Sequence, residues 1–155
     1  MPENRLMRKR IYDTIVKKKK MTAVKKAAIL LLALGEDAAA EVLKKFGEPA
    51  IDECIHALQN SDSDTRVGAA GVLGIIGGEK AITPLTDVLE DTTAEIRTTA
   101  VEALGKIGGE QDSGPIIKLL KDSDSNVRYT AAESLGKSGD KNAVEPLIKL
   151  VSFPK

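Results

Sequence analysis

Between Val127 and Leu135 the apolar side chains stand at i, i+4, i+5 and i+8 (Val127, Ala131, Ala132, Leu135), which places them on one face of a helix. A second apolar stripe begins at Ala143 and runs through Val144, Leu147 and Leu150. Moved back by 31 residues, the pattern reads Ile96, Ala100, Val101, Leu104, then Ile116 and Leu119. Moved again, it reads Ala69, Ala70, Leu73, then Ala81, Ile82, Leu85 and Val88, with Thr65 at the only position that has lost its apolar side chain. Three further columns keep the same period: Arg66, Arg97 and Arg128; Gly74, Gly105 and Gly136; Pro84, Pro115 and Pro146. A fixed period of this length predicts a stack of helix pairs, because one pair cannot bury its own apolar face and its neighbours complete the core.

One more shift reaches Ala39, Val42, Phe46, Gly47, Ala50, Ile51, Cys54 and Leu58, where the repeat persists without its arginine or first glycine. Ala23 to Leu34 adds a helix before it, which predicts about nine helices in an all-α solenoid. The glycines, two per unit, fall near helix ends where a left-handed residue closes the last turn, and the proline is expected in the first turn of the following helix. Asp and Thr are the expected caps, with Thr92 and Glu95 spaced as a capping box. The arginine column is expected to bond across repeats to Asp62, Asp91 or Asp124.

Composition narrows the function more than the fold. The 155 residues are 42% apolar and 30% charged but only 3% aromatic, without tryptophan, which suits closely packed helices and leaves few rings to stack on bases or a cofactor. Cys54 stands alone, which excludes an internal disulfide and reads as a small buried hydrophobe. His56 has no second histidine or cysteine at ligand spacing, so no metal site is expected. Gly74 to Lys80, GIIGGEK, lacks the Gly-Lys-Ser/Thr order of a phosphate loop and falls on a repeat boundary. Glu102 and Glu133 each precede a lysine by four residues, the spacing of a helix-surface ion pair. No catalytic set emerges, so the chain is expected to be non-enzymatic and to need no cofactor.

The formal charge of zero divides unevenly. Residues 1–20 carry +6, including Arg8, Lys9, Arg10, Lys17, Lys18, Lys19 and Lys20, so the other 135 residues sum to −6. This predicts a basic arm, flexible or briefly amphipathic, before a single solenoid domain over 21–155. Such an arm could engage a membrane surface or nucleic acid by screened attraction, an alternative ranked behind protein binding. The apolar stretch Ala27 to Leu34 is eight residues, too short to span a bilayer, and the pattern continues as an amphipathic helix through Phe46. The expected location is cytoplasmic.

The columns from Ser61 to Leu150, an Asp, Val/Ile-Arg, Ala-Ala/Val, Leu-Gly and Gly in phase, resemble short HEAT-like repeats of the kind found in phycobilin lyase subunits and many scaffold proteins. That resemblance implies an α-solenoid that works as a scaffold, an adaptor or an accessory subunit of a lyase-like system. Residues 26–45, KAAILLLALGEDAAAEVLKK, are similar to the opening helix pair of the flagellar rotor switch protein. That similarity implies a capping pair over 21–46 able to dock on a peptide, in a chain too short for the rotor protein's other domains.

The first full repeat departs from its neighbours. Where the later units carry Thr98, Glu102 and Lys106, then Tyr129, Glu133 and Lys137, the first carries Val67, Gly71 and Ile75. Gly68, Gly71, Gly74 and Gly77 follow at every third position, at a helix cost of roughly 1 kcal/mol each relative to alanine. Close approach of another backbone would offset that cost. In such superhelices this helix commonly lines the concave side. The expected partner-binding groove therefore has an apolar floor of Val67, Gly71 and Ile75, with Glu102, Lys106, Tyr129 and Glu133 beside it, for a helix or extended peptide. Self-association through the solenoid ends is also expected.

Overall fold

The computed structural model describes residues 35–59, 62–108 and 113–152. Every regular element among them is helical. α1 (Glu36–Lys44) and α2 (Gly47–Ala57) precede α3 (Ser63–Ile76), and a one-turn 3-10 helix (Gly78–Ala81) then leads into α4 (Ile82–Asp87) and a further 3-10 turn (Val88–Glu90). α5 (Ala94–Ile107), α6 (Gly114–Lys118) with its 3-10 turn (Leu119–Lys121), α7 (Ser125–Ser138) and α8 (Lys141–Val151) complete the order. The described residues thus hold eight α-helices; the helix expected over Ala23 to Leu34 and the basic arm lie outside them.

The odd helices form one layer, in which α3 packs along α5 and α5 along α7, and the even elements form a second layer against them. The period explains the packing. Ala69, Ala70, Val72 and Leu73 of α3, Ala100, Val101 and Leu104 of α5, and Val127, Ala131 and Leu135 of α7 are all buried in one continuous core with Leu85, Leu89 and Leu120 from the other layer, and Ile96 of α5 is fully buried as well. Burying a leucine completely stabilises by roughly 1.5–3 kcal/mol, so the repeated leucines of this core supply much of the force for stacking. Alanines in pairs keep the helices close, which is why so few aromatic side chains are needed.

Local signals end and start the helices, with several departures from expectation. Asp62, Asp124 and Asp140 are N-caps whose carboxylates accept from Thr65, Asn126 and Asn142 amides respectively. The box from Thr92 to Glu95 does not form: Thr93 is the N-cap of α5 and its side chain makes no cap bond. Its hydroxyl instead accepts from the Arg66 guanidinium, while Asp91 takes the Thr93 amide at 2.8 Å. Of the two glycine columns only the second closes helices with positive φ, at Gly108 and Gly139, and in the first unit that role moves from Gly77 to Gly78. The first column lies inside the helices with right-handed backbone. Pro115 sits in the first turn of α6 as expected, but Pro146 falls inside α8, because Asp140 caps a helix that runs unbroken where the first unit has a 3-10 turn before α4.

Candidate functional site

Val67, Gly71 and Ile75 stand four apart on α3, half-buried, on the side away from its core residues. Their equivalents occupy the same stripe of α5 and α7, where Glu102, Lys106, Tyr129 and Glu133 are exposed. Tyr129 is 70% exposed, an unusual position for the largest side chain in the odd layer. The seven residues predicted from sequence thus stand at equivalent positions of three packed helices, half-buried on α3 and exposed on α5 and α7. Gly71 lies beside α5: a Cβ there would stand 4.0 Å from the Thr99 methyl carbon, in ordinary contact. Thr98 and Thr99 turn their hydroxyls back to the Ala94 and Glu95 carbonyls, which satisfies them within the helix. The region around Val67, Gly71 and Ile75 is consequently apolar, and it gives way to charge along α5 and α7. On α7, Lys137 pairs with Glu133 at 2.8 Å.

The close approach expected at the glycines is present inside the molecule. A Cβ on Gly74 would meet Ala103 Cα at 2.7 Å and Ala103 Cβ at 2.8 Å, so α3 and α5 touch backbone to backbone there. Gly74 is thereby accounted for by packing, while Gly68 and Gly71 remain on the outward side.

The arginines tie one unit to the next. Arg66 donates to both carboxylate oxygens of Asp91, at 3.1 and 3.2 Å. Arg97 grips Asp122 in the same two-pronged way, at 2.8 and 2.6 Å, and its remaining nitrogen donates to the Asp91 carbonyl. Of the expected partners, Asp91 pairs with Arg66, while Asp62 and Asp124 serve as helix caps. Asp122 was missed, although the recurrence of aspartate 25 residues after Arg66 and Arg97 was the signal that could have found it. Hydrogen bonds from Arg97 hold the Asp122 carboxyl below the ordinary range. Burial pushes Asp91 the other way, but the Thr93 amide and Arg66 outweigh it, and its pKa is also lowered. A second brace was also illegible in the sequence: Lys80 binds Glu48 at 3.0 Å and Asp52 at 2.7 Å, joining α2 to the turn after α3.

Cys54 is 1% exposed, and burial pushes its thiol up to about 12. His56 is exposed on α2, and no group of ligating side chains that could hold a metal occurs among the described residues. A depression of about 140 Å³ between α1, α2 and the end of α3 is lined by Leu43, Lys44, Gly47, Glu48, Ile51 and Ile76. That is well under the roughly 300–1,000 Å³ of ordinary ligand pockets. No helix among the described residues is long and apolar enough to cross a membrane.

Stacked helix pairs, joined by an arginine–aspartate tie at the α3–α5 and α5–α7 junctions and offering a broad face, define an α-solenoid. The sequence matches the HEAT-repeat pattern over residues 22–105 and again over 89–153, and the chain belongs to the HEAT-repeat family. HEAT repeats commonly serve as protein-interaction scaffolds, and the family is generally non-enzymatic. No curated protein matches the chain.

Proposed function

We propose that this protein is a non-enzymatic scaffold or adaptor that binds a helix or extended peptide of a partner protein across the outward face of α3, α5 and α7. Val67, Gly71 and Ile75 form the apolar floor, Glu102, Lys106 and Glu133 set the polar border, and Tyr129 anchors the far side. The observation that supports this reading is the change in one set of equivalent positions. Residues charged or polar in two repeats are small and aliphatic in the third, yet still reach solvent. Glycine at position 71 lowers the floor by a side chain, which lets a partner backbone lie close. A lyase-like accessory role gains no support from Cys54, whose thiol is buried. The likeness of residues 26–45 to a rotor-protein helix pair fits the same scaffold reading, as a capping pair. The setting we propose is cytoplasmic.

The test is an affinity capture from the native host, comparing the full chain, an Ile75→Glu variant and a chain starting at Met21. A partner held by the full chain and lost with Ile75→Glu, at unchanged circular dichroism and melting temperature, is the expected result. Loss only on truncation would move function to the basic arm, and identical captures from all three would overturn the face.

A further inference from the structure

The depression between α1, α2 and the end of α3 has a cause in the sequence. At the α3–α5 junction Gly74 lies against Ala103 and the two backbones touch. Counting back 31 residues from that pair gives Leu43 and Val72 at the α1–α3 junction, both buried. Two branched side chains standing where a glycine and an alanine stand one unit later hold α1 off α3, and a space of about 140 Å³ opens beside them. Ile51 of α2 and Ile76 of α3, both half-buried, complete its apolar wall with Leu43. At its mouth Gly47, with φ 63°, starts α2 close behind α1 and carries no side chain to cover the opening.

Two charges flank that mouth, and they differ in standing. Glu48 is held by Lys80 at 3.0 Å, whereas Lys44 is exposed and pairs with no carboxylate among the described residues. Lys44 also stands 31 residues before Ile75, so it is the member of the outward stripe that α1 contributes. The depression therefore opens beside the apolar floor of Val67, Gly71 and Ile75.

We infer that this depression is the anchor socket of that face: it receives one leucine or phenylalanine side chain of a partner protein's segment, and an aspartate or glutamate close by in the same segment is set against Lys44. The inference rests on the face proposed above. Size determines the anchor, since an apolar cavity of about 150 Å³ holds a molecule as large as benzene; the space is too small for an ordinary ligand and right for one large apolar side chain. Such a side chain seated in a desolvated pocket is what dominates a peptide interface. Charge determines the neighbour and argues against the chain's own arm, because residues 1–20 carry +6 and would bring like charge to Lys44.

To test this, the immobilised full chain selects from a random-peptide display library, and the enriched peptides are synthesised and titrated. They are expected to share a leucine or phenylalanine with an acidic residue within four positions of it. Alanine in place of that anchor should weaken binding about thirtyfold. Ile51→Phe and Ile76→Phe, which fill the socket from two walls, should each weaken it about tenfold or more at unchanged melting temperature. Lys44→Glu, a surface change that leaves the core alone, should weaken it about fivefold at low salt. No enrichment, peptides without the paired features, or unchanged affinity in all three variants overturns the socket. Binding lost with Ile75→Glu but kept in those variants overturns the socket and leaves the face standing; binding lost in them but kept with Ile75→Glu upholds the socket and overturns the wider face. Self-association in sedimentation that Ile51→Phe abolishes would give the socket to a second copy and overturn the inference.

Discussion

Replacing glycine by alanine at three equivalent positions, 74, 105 and 136, should give three different results. All three are helical with ordinary backbone angles. The intrinsic gain from alanine is therefore common to them, roughly 0.5–1 kcal/mol. What differs is the neighbour. At Gly74 the new carbon would meet Ala103 Cα and Cβ at 2.7 and 2.8 Å, both on a rigid helix, against a carbon–carbon optimum of about 3.5–4.0 Å. Relief requires α5 to shift, and overpacking of this kind costs roughly 1–3 kcal/mol. Gly74→Ala should thus lose up to about 2.5 kcal/mol net, the difference of those two ranges. At Gly105 the neighbour is Ser134 Oγ at 3.3 Å, on a side chain that can rotate away, so the outcome is close to neutral or mildly favourable. At Gly136 nothing lies within 4 Å and the gain is undiminished. Since 1 kcal/mol moves the melting temperature of a domain this size by about 2–4 °C, thermal unfolding followed by circular dichroism resolves the order. Equal shifts at all three sites, or a stabilised Gly74→Ala, would refute the backbone contact between α3 and α5.

Three further outcomes are expected. Arg97→Ala should cost about 3 kcal/mol, the lower end for breaking a buried pair, since both side chains are largely buried, whereas Lys137→Ala, at an exposed pair, should leave urea unfolding unchanged. Because Asp91 and Asp122 have folded pKa values below their unfolded ones, the stability they contribute is complete above the ordinary aspartate value of about 3.9 and is lost as pH falls through the folded values. The melting temperature should therefore drop more steeply below about pH 4 in the parent chain than in Asp122→Asn. Cys54 should resist a thiol reagent at neutral pH until denaturant is added, and prompt labelling of the native protein would contradict its burial.

The period of 31 made the helix stack and the outward stripe legible, because burial repeats with the helix and the helix repeats with the unit. Arginine and its carboxylate were harder. Several aspartates crowd each turn, and only the recurrence 25 residues after each arginine separates the one that pairs from the one that caps. Pro146 was placed a turn too early because the 3-10 turn before α4 has no counterpart before α8. The glycines of α3 illustrate a subtler limit: the need for close approach was readable at Gly74, but whether the neighbour was Ala103 or a foreign chain was a three-dimensional matter.

The tightening of the stack is graded, and the grading has a mechanical consequence. At the α3–α5 junction the backbones touch at Gly74 and an arginine clamps the turn; at α5–α7 the clamp is repeated, but the contact at Gly105 is to a rotatable hydroxyl. A solenoid made this way is a spring of uneven stiffness. Pulled or twisted along its axis, it is predicted to yield at the α5–α7 junction before the α3–α5 junction, so a partner gripping α3 and α5 would meet a stiffer shape than one gripping α5 and α7.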